Sequence, residues 1–404
     1  MSSNLVVMHV KIGRLPDVAE LEREWRDLED RSRGVFFVSW AWIGVWLANL
    51  PHGWALRLIR AEKEGKTVGL GILARGLPKK IFNFTYCVTE HLHETGIREI
   101  DMVIEHNDFL LDQSCENEVR SAMIDCWLGS VNQVCELSVP GCSNGAWLSD
   151  DLDPARHGMM RYDMTMKSHA MDLEQVRRAG GEPVALLAGR TRAKIRRAMR
   201  EYSQYGELRV DESTTLLESL EWLDSLEMLH QRRWTSKGEP GCFSNPRFAR
   251  FHRMMIARNH ASGAVIVLRV NVGNSALGYL YGFSDGQRFC LYQCGFDYNL
   301  VDRNSMPGLV CHVMCMRYLA EKGLKLYDFM AGCSRYKSEL SNVEESMTWT
   351  IFRSDAVRFR LIEWLGPICS KMNHHKERVI SAWRLLAARC ESPKPTGIPV
   401  NQGV

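Results

Sequence analysis

The sequence predicts an α/β protein with a mixed sheet, in which one arrangement of helices and strands occurs twice. The chain has 404 residues, a length typical of two domains rather than one. The order of helices, antiparallel strands, helix and strand in residues 1–165 returns in residues 166–354. Within the second half, residues 287–337 read as a strand, a loop, a helix and a strand, the order of a βαβ unit. We therefore expect domains at 1–165 and 166–354, a helical extension at 355–390, and a disordered Pro/Gly-rich tail at 391–404.

In the N-terminal half, apolar residues recur at helical spacing after Asp17 and predict an amphipathic helix up to Asp30. The run SWAWIGVWLANL predicts a second helix that is apolar nearly all round and therefore buried. A turn at Glu64-Gly65 between two apolar runs predicts a hairpin. The other predicted elements are a strand at 5–12, a helix at 116–128 and a strand at 134–139, whereas residues 80–112 follow no clear pattern.

The C-terminal half repeats this order with longer helices. Turns at Gly273-Asn274 and Asp285-Gly286 divide one long apolar run into a three-stranded antiparallel meander. Residues 176–183 are expected to form a connector. The other predicted elements are helices at 186–202, 215–237 and 245–261, and strands at 208–210, 325–330 and 346–352.

The βαβ unit places the free end of a helix at the edge of the sheet. Ser305 can accept from the first backbone N–H groups of this helix, Pro307 suits its first turn, and Gly323 ends it. Such an end attracts phosphate through its unpaired N–H groups and the helix dipole. We therefore predict an anion site at Ser305 and Gly308, and we expect a backbone N–H near Gln293 on the preceding strand to stabilise an oxyanion.

Composition narrows the class of protein without identifying it. Hydrophobic residues make up 45% and charged residues 25%, and a net charge of +3 is too small to indicate nucleic-acid binding. The 13 cysteines show no disulfide-type spacing, so we interpret them as reduced core residues. Neither a signal peptide nor an apolar run of membrane-spanning length is evident, which predicts a cytoplasmic protein.

Several motifs occur in a fixed order in the C-terminal half: RTRAKIRRAMREYSQYG, LHQRRWTSKGEPGCFSNPRFARF, GFDYN, NSMPG and YDFMAGCSRYKSEL. In this order they resemble the acetyltransferase-like proteins of the CelD/BcsL type (GNAT superfamily, BioF2-like domain), which are related to the FemABX transferases. In the N-terminal half the resemblance depends on WRDLEDRS, FFVSWAWIGVW and the hairpin that follows.

The resemblance implies a tandem GNAT-like fold and an enzyme that moves an acyl group from acyl-CoA, acetyl-CoA above all, to an amine. An amino sugar or another building block of an envelope polysaccharide is the expected acceptor. One departure from the GNAT pattern concerns the phosphate loop, where Arg303 to Gly308 contains a single glycine and Pro307, which lacks a backbone donor. Two alternatives are a Fem-like transferase that uses aminoacyl-tRNA and a non-catalytic module that binds an anionic ligand.

Direct acyl transfer needs a base for the attacking amine and an acid for the leaving group. Asp328 or His230 is the candidate base, Tyr336 the acid, and Lys337 a cation for a phosphate or carboxylate. Asp328 could equally cap a turn or form a structural ion pair with Lys337. His230 lies on the same predicted helix face as Arg233. The structural alternative is that both residues only bond to carbonyl groups at the end of their helix.

A second group of residues predicts anion binding. Arg196 and Arg197 belong to a helix with six basic residues between 190 and 200 and no acidic one, so an anionic partner or acidic neighbours from elsewhere are expected. Arg233 and Trp234 are candidates for contact with the substrate.

We predict no metal site, because the motif EHLHE at 90–94 has no matching partner cluster, and Cys311-His312 with Cys315 is better explained by core packing. The amphipathic C-terminal helix is expected to dock on its own domain, with an anionic membrane surface as the alternative.

Overall fold

The fold is described from a computed structural model, which covers residues 8–81, 84–130, 135–143, 147, 152–300, 306–332 and 334–354, with the backbone alone at 80, 81 and 84–86. The predicted helical extension and tail after residue 354 lie outside the described residues. So do Ser305 and the preceding residues of the predicted phosphate loop.

The N-terminal half is built from eight strands and three helices in its described part. Its helices are α1 (Val18–Glu29), α2 (Trp40–Asn49) and α3 (Glu116–Gly129), with 3₁₀ turns at Phe36–Val38 and Pro154–His157. Its strands are β1 (Met8–Arg14), β2 (Leu56–Lys63), β3 (Lys66–Arg75), β4 (Lys79–Ile81), β5 (Phe84–Cys87), β6 (Thr89–Leu92), β7 (Leu110–Leu111) and β8 (Glu136–Ser143).

The C-terminal half follows after the long strand β9 (Met159–Asp172). Its helices are α4 (Leu173–Arg178), α5 (Gly189–Ser203), α6 (Leu216–Thr235), α7 (Pro246–Asn259), α8 (Pro307–Glu321) and α9 (Arg335–Glu339), with 3₁₀ turns at Pro183–Leu186 and Cys242–Ser244. Its strands are β10 (Leu208–Glu212), β11 (Val265–Val272), β12 (Ser275–Ser284), β13 (Arg288–Phe296), β14 (Leu326–Ala331) and β15 (Val343–Ser354).

One continuous sheet joins the two halves. The described strands pair in the order β1-β2-β3-β6-β8-β15-β9-β14-β13-β12-β11-β10, with β7 beside β3 and with β4 and β5 as a separate ribbon. From each end of the sheet, four strands pair antiparallel in succession, and the fourth then pairs parallel with the next strand. This parallel pair is β6 with β8 in the first half and β13 with β14 in the second. The predicted repeat of two α/β units is therefore present in the sheet.

The last strand of each half crosses into the sheet of the other half. β9 follows β8 in the chain but pairs with β14, and β15 follows β14 but pairs with β8. The two exchanged strands also pair with each other over 12 residue positions, from Val343 opposite Ala170 to Ser354 opposite Met159. The predicted domain boundary at residue 165 falls inside β9, and the predicted connector at 176–183 contains the end of α4.

The core between the halves is aromatic. The rings of Phe36 and Phe283 stack at 4.4 Å, and Trp42 packs edge-on against Phe251 at 5.1 Å. The first contact joins the 3₁₀ turn at Phe36–Val38 to β12 of the meander, and the second joins α2 of the first half to α7 of the second. Helix α2 is buried, as the apolar run SWAWIGVWLANL predicts. The helical faces of both halves are therefore turned towards each other, and a second core lies between α5, α8 and the opposite side of the C-terminal sheet.

Candidate active site

A gap opens between the parallel strands β13 and β14. The two strands pair only from Arg288 opposite Leu326 to Cys290 opposite Asp328. Beyond Cys290, β13 continues to Phe296 and pairs with β12 alone in the described chain. Its pairing with β12 shifts register between Tyr281 and Gly282, so that Tyr292 is an extra, bulged residue. The strand edge from residue 291 onward therefore faces the gap without a strand partner.

The opposite edge of the gap is irregular. Met330 adopts the left-handed conformation, with φ of 66°, at a register shift between β14 and β9. Its N–H donates to Asp328 Oδ1 at 2.7 Å. The N–H of Ala331 donates to Glu105 Oε2 at 2.7 Å, and Lys337 Nζ donates to the carbonyl oxygens of Met330 and Ala331 at 3.1 and 2.7 Å. The backbone N–H and carbonyl groups of this edge are therefore hydrogen-bonded to side chains rather than to a neighbouring strand.

The N-terminus of α8 lies next to the gap. Gly308 lies against the ring of Phe296 at the end of β13, and the first turn of α8 carries no acidic residue. Met306 precedes the helix in the left-handed conformation, with φ of 49°. Pro307 has no N–H, and the Leu309 N–H already donates to Met306 O at 3.1 Å. Within the described residues this helix end therefore offers an anion the Gly308 N–H and the positive end of the dipole.

Helix α6 covers the bulged part of β13. At Gly295 a Cβ atom would come within 2.5 Å of the Leu226 carbonyl oxygen, so only glycine allows this close approach. His230, on the same helix, is 5% exposed, and its ring packs against Phe243 at 5.3 Å and Trp234 at 5.9 Å. The structure thus places the predicted base His230 near the predicted strand residue Gln293, whose amide donates to Cys242 Sγ at 3.7 Å beside Phe243.

Asp328 lies in a closed network. It is 1% exposed, and its Oδ2 accepts from Arg288 at 2.6 Å and lies 2.8 Å from His106 Nε2. Burial alone would raise the pKa of this carboxyl, but the hydrogen bond and charge of His106, with Arg288 and the Met330 N–H, hold it well below its ordinary value. A carboxylate that is so acidic and so fully bonded is a weak proton acceptor. This geometry favours the structural alternative for Asp328, a turn cap and an ion pair, but the cation that pairs with it is Arg288 rather than the predicted Lys337.

Lys337 is also turned inward. It is 2% exposed and bonds to the two carbonyl groups at the edge of β14. Its neighbour Tyr336 is half-buried and stacks on His312 of α8, with ring centroids 5.3 Å apart and planes 10° apart. His312 Nδ1 in turn lies 2.8 Å from the Tyr327 hydroxyl, at hydrogen-bond distance. Burial lowers the pKa of His312 to about 3, so this imidazole is neutral. Tyr336 therefore lies near the start of α8, whereas the Lys337 ammonium is not presented at the surface.

The other predicted anion-binding residues form a cationic and aromatic wall at the end of α6. Arg233 lies over the ring of Tyr298, 4.3 Å from its centroid, and Lys237 lies 4.8 Å from the centroid of Trp234. Burial raises the pKa of Tyr298 to about 12 against the opposing effect of Arg233, so the phenol stays protonated. This wall borders the segment that leads from β13 to α8.

The basic helix α5 packs its apolar face against the C-terminal core and exposes its charges. Arg197 pairs with Glu201 at 2.8 Å, and Arg192 donates to the carbonyl groups of Ala185 and Leu187. Among the described residues, no carboxylate lies within ion-pair distance of the exposed Arg196. The same holds for Arg190, Lys194 and Arg200. The one carboxylate found, Glu201, belongs to α5 itself, so within the described residues no predicted acidic neighbour from elsewhere in the fold lies at ion-pair distance from these cations.

The equivalent gap in the N-terminal half is filled by the chain itself. Asn107 bridges its two edges, since its backbone N–H donates to Gly141 O of β8 at 3.0 Å and its side-chain amide donates to Leu92 O of β6 at 3.1 Å. Gly141 has φ of 62° and faces the Ile104 carbonyl oxygen, where a Cβ atom would lie 2.6 Å away. The first turn of α3 carries Glu116 and Glu118, which would repel an anion at that helix end.

One cluster has the composition of a metal site. His106, Cys290 and Asp328 offer ligand atoms within 4.8 Å of one another, and all three are buried. Arg288 already places its guanidinium 2.6 Å from Asp328 and 3.2 Å from His106 Nε2, so a metal ion would have to displace or neutralise this charge. We therefore interpret the cluster as an ion-paired network.

Sequence reasoning missed Glu105, His106, Arg288 and Tyr298. Glu105 and His106 lie in the stretch at 93–109 that has no regular elements, and they meet β14 across more than 220 positions of sequence. Tyr298 could have been found, because it belongs to the GFDYN motif that carried the resemblance.

The segment that forms this gap also matches a known protein family. Residues 189–338, from α5 to α9, match the family model described as the acetyltransferase (GNAT) domain. A search of curated proteins found no sequence relative of the chain. Among the described helices, none combines the length and the apolar character that a membrane crossing requires.

Several solved structures share the fold. FemX matches at 11% identity over 88% of this chain and 99% of its own, with a TM-score of 0.56. A conserved protein of unknown function from Bacteroides thetaiotaomicron VPI-5482 matches at 9% identity over 85% of this chain and 100% of its own, with a TM-score of 0.51. A tandem GNAT protein from the clavulanic acid biosynthesis pathway matches at 13% identity over 85% of this chain and 98% of its own, with a TM-score of 0.42. The predicted mixed α/β, GNAT-like fold is confirmed, whereas the resemblance to the CelD/BcsL type stays a prediction.

Proposed function

We propose that the protein is an acyltransferase whose C-terminal half moves an acyl group from acyl-CoA to an amine. The observation that carries this proposal is the gap between β13 and β14, which lies inside the segment that matches the acetyltransferase (GNAT) domain. Its counterpart in the N-terminal half is bridged by Asn107 and has acidic residues at its helix end. One donor site per chain, in the C-terminal half, follows from this difference.

The gap suits the extended, amide-containing arm of a coenzyme A thioester. The β13 edge from residue 291 onward offers backbone groups in strand geometry, to which amides of an extended ligand can bond as an added strand would. The N-terminus of α8, through the Gly308 N–H and the helix dipole, would hold the pyrophosphate together with Ser305. Pro307 offers no such donor, so Arg233 and Lys237 at the end of α6 would contribute positive charge at the mouth of the site.

For the chemical step we assign two groups. His230 accepts a proton from the amine as its nitrogen attacks the thioester carbonyl carbon, forming the C–N bond. A backbone N–H at the bulge near Gln293 donates to the oxyanion of the tetrahedral intermediate. As the C–S bond breaks, Tyr336 gives its proton to the leaving thiolate. Asp328 and Lys337 then act by shaping the strand edge rather than by transferring protons.

The acceptor would be a polar amine, and we propose an amino sugar or another building block of an envelope polysaccharide. Trp234 and Tyr298 present aromatic faces and Arg233 a cation at the same wall, a combination suited to stacking with a sugar ring and pairing with an attached acidic group. The acceptor would therefore approach from the α6 side, opposite α8.

One observation favours a second donor, aminoacyl-tRNA. Arg190, Lys194, Arg196 and Arg200 expose four cations of α5 with no carboxylate beside them in the described chain, as a phosphate backbone would require. FemX, whose fold the chain shares, carries no weight for activity at 11% identity. A non-catalytic module that only binds an anionic ligand is the third reading.

Calorimetric titration separates these possibilities. We expect acetyl-CoA to bind with one site per chain and to yield free thiol and acylated amine when amino sugars are supplied. Binding of tRNA that weakens steeply with salt and is lost in Arg196→Ala/Arg200→Ala, without binding of acetyl-CoA, would instead support the aminoacyl donor. Binding of acetyl-CoA with no transfer to any amine would support the non-catalytic module.

A further inference from the structure

We propose that Glu105 and His106, from the N-terminal half, are positioning residues that hold open the donor gap of the C-terminal half. This inference rests on the proposed function, because it concerns the same gap. It assigns the first half a direct part in donor binding, although that half has no open gap of its own.

The first step concerns the backbone groups of Ala331. Neighbouring residues of a strand direct their backbone groups to opposite sides, and the Gly332 N–H reaches Lys167 O of β9 at 3.2 Å. The Ala331 groups therefore point away from β9, towards β13. Paired parallel strands would bond these groups to each other, but here the N–H is taken by Glu105 and the carbonyl by Lys337.

The second step concerns charge. Glu105 and Lys337 cap both polar groups of Ala331 with opposite charges, and both side chains are buried, at 0% and 2% exposure. A charge-assisted hydrogen bond is stronger than the neutral strand bond it replaces, so β14 gains nothing by closing onto β13. Removing the Glu105 carboxylate would leave a buried N–H for which the nearest strand partner is β13.

The third step concerns the end of the paired region. His106 Nε2 lies 2.8 Å from Asp328 Oδ2, at the last position where β14 still pairs with β13. Asp328 Oδ1 turns to accept the Met330 N–H, which sets the left-handed bend after it. The hydroxyl of Tyr292, the bulged residue on β13, donates to Val103 O at 3.1 Å. Residues 103–106 thus touch both sides of the gap.

The same segment fills the gap of the N-terminal half, two residues further on, through Asn107. The residues that contact the edge of the C-terminal gap and the residue that fills the N-terminal gap therefore form one structural unit, which we call the cross-brace (residues 103–107). His93 Nδ1 lies 2.9 Å from the side-chain oxygen of Asn107. Burial lowers the pKa of His93 to about 4, so this imidazole carries no charge beside the filled N-terminal gap at neutral pH. One gap has been closed by the segment that keeps the other open.

The test compares Glu105→Ala with Glu105→Gln in the full chain. Glutamine keeps an oxygen for the Ala331 N–H, whereas alanine removes it. We expect Glu105→Ala to bind acetyl-CoA about tenfold more weakly or worse, with Glu105→Gln recovering most of the affinity. Amide hydrogen exchange should report the cause, with altered protection at 329–332 in Glu105→Ala before any ligand is added.

Two controls distinguish a brace from a general loss of stability. Glu90→Ala removes another buried, ion-paired carboxylate of the same half, bonded to Arg57 and Trp127, and should lower stability without changing acetyl-CoA affinity. If Glu105→Ala does not fold, His106→Phe tests the same brace through its contact with Asp328 and should also weaken acetyl-CoA binding.

Equal acetyl-CoA affinity and equal exchange at 329–332 in wild type and Glu105→Ala would overturn the brace. If the wild type itself binds no acetyl-CoA, the proposed function fails, and the exchange experiment still decides the brace on its own. Unchanged exchange in that case would overturn both.

Discussion

Asp328 shows how burial changes the meaning of a residue that looks catalytic in the sequence. It stands in the YDF motif at the end of a strand, the place where ligand-binding residues are often found. In the structure its carboxylate connects Arg288, His106 and the Met330 N–H, from three different segments of the chain. Asp328 therefore holds these segments together, and its substitution should first change the free energy of unfolding and the dependence of that free energy on pH.

We expect Asp328→Asn to cost about 3 kcal/mol of stability at neutral pH, because the largely buried Arg288 guanidinium loses its nearer carboxylate partner and keeps only Glu345, at 3.4 Å. The pKa of Asp328 is depressed in the folded protein, so its contribution is present above the unfolded value and is lost as pH falls below it. Urea unfolding of the wild type should therefore show stability falling below about pH 4. In Asp328→Asn this part of the fall should be missing, and parallel curves for the two proteins would contradict the assignment.

His230 should behave in the opposite way. Its ring packs against Phe243 beside the bulge of β13, and glutamine keeps a polar side chain there. We therefore expect His230→Gln to lower stability little and to lower kcat about 10²- to 10⁴-fold with little change in KM for acetyl-CoA. Steady-state rates over a pH series check this, since the acidic limb of the profile should disappear. Tyr336→Phe serves as the comparison and should affect the release of the thiol rather than this limb.

At the scale of elements, the exchanged strands depend on a buried carboxylate where they enter the first half. Glu136 of β8 accepts from Arg353 of β15 at 2.8 Å, from Thr89 of β6 at 2.8 Å, and from Lys79. Burial raises the pKa of Glu136, but the charge and hydrogen bond of Lys79, the charge of Arg353 and the Thr89 hydroxyl together outweigh it, and the pKa falls to about 2. This charge cluster therefore stabilises the pairing of β8 with β15.

The stabilisation by Glu136 should be fully present above its ordinary pKa of 4.5 and should disappear as pH falls towards 2, an effect on the order of 3 kcal/mol. Glu136→Gln should lose it at neutral pH and show a flatter profile in that window, as measured by denaturant unfolding. The exposed pair of Lys63 and Glu118 offers a matched control, and Glu118→Gln should stay close to the wild type. A fall of the same size in both variants would argue against a special role for Glu136.

For the whole molecule, the sequence predicted most elements and the repeat, because periodicity and turn residues are local signals. The helix that became α8 was delimited by Pro307 and Gly323, and the meander by its two glycine-containing turns. β9 was not predicted, because both of its partners, β14 and β15, come more than 150 positions later in the chain. Its burial depends on these distant strands, and the sequence around β9 does not show them.

The candidate site divides in the same way. Tyr336 and His230 became candidates because motifs surround them, and the structure places Tyr336 against α8 and His230 on α6. The inward turn of Lys337 and the brace through Glu105 could not be predicted, because they follow from contacts between the two halves. Charge and residue type identify a candidate, but only packing shows whether it faces a ligand or the backbone.

Strand exchange makes a prediction about the molecule as a unit. A chain cut after residue 150 leaves both exchanged strands, β9 and β15, in the second fragment, so that the first fragment lacks the strand that pairs with β8. Each fragment also lacks half of the aromatic core around Phe36 and Phe283. We expect neither 1–150 nor 151–354 to fold alone, since each would expose a sheet edge and a large apolar face. Co-expressed, the fragments should assemble, because β15 of the second can still pair with β8 of the first. Co-purification through a tag on one fragment and a single cooperative thermal transition would establish this. A soluble, cooperatively folding 151–354 fragment that binds acetyl-CoA as tightly as the full chain would show instead that the C-terminal half needs neither the exchange nor the cross-brace.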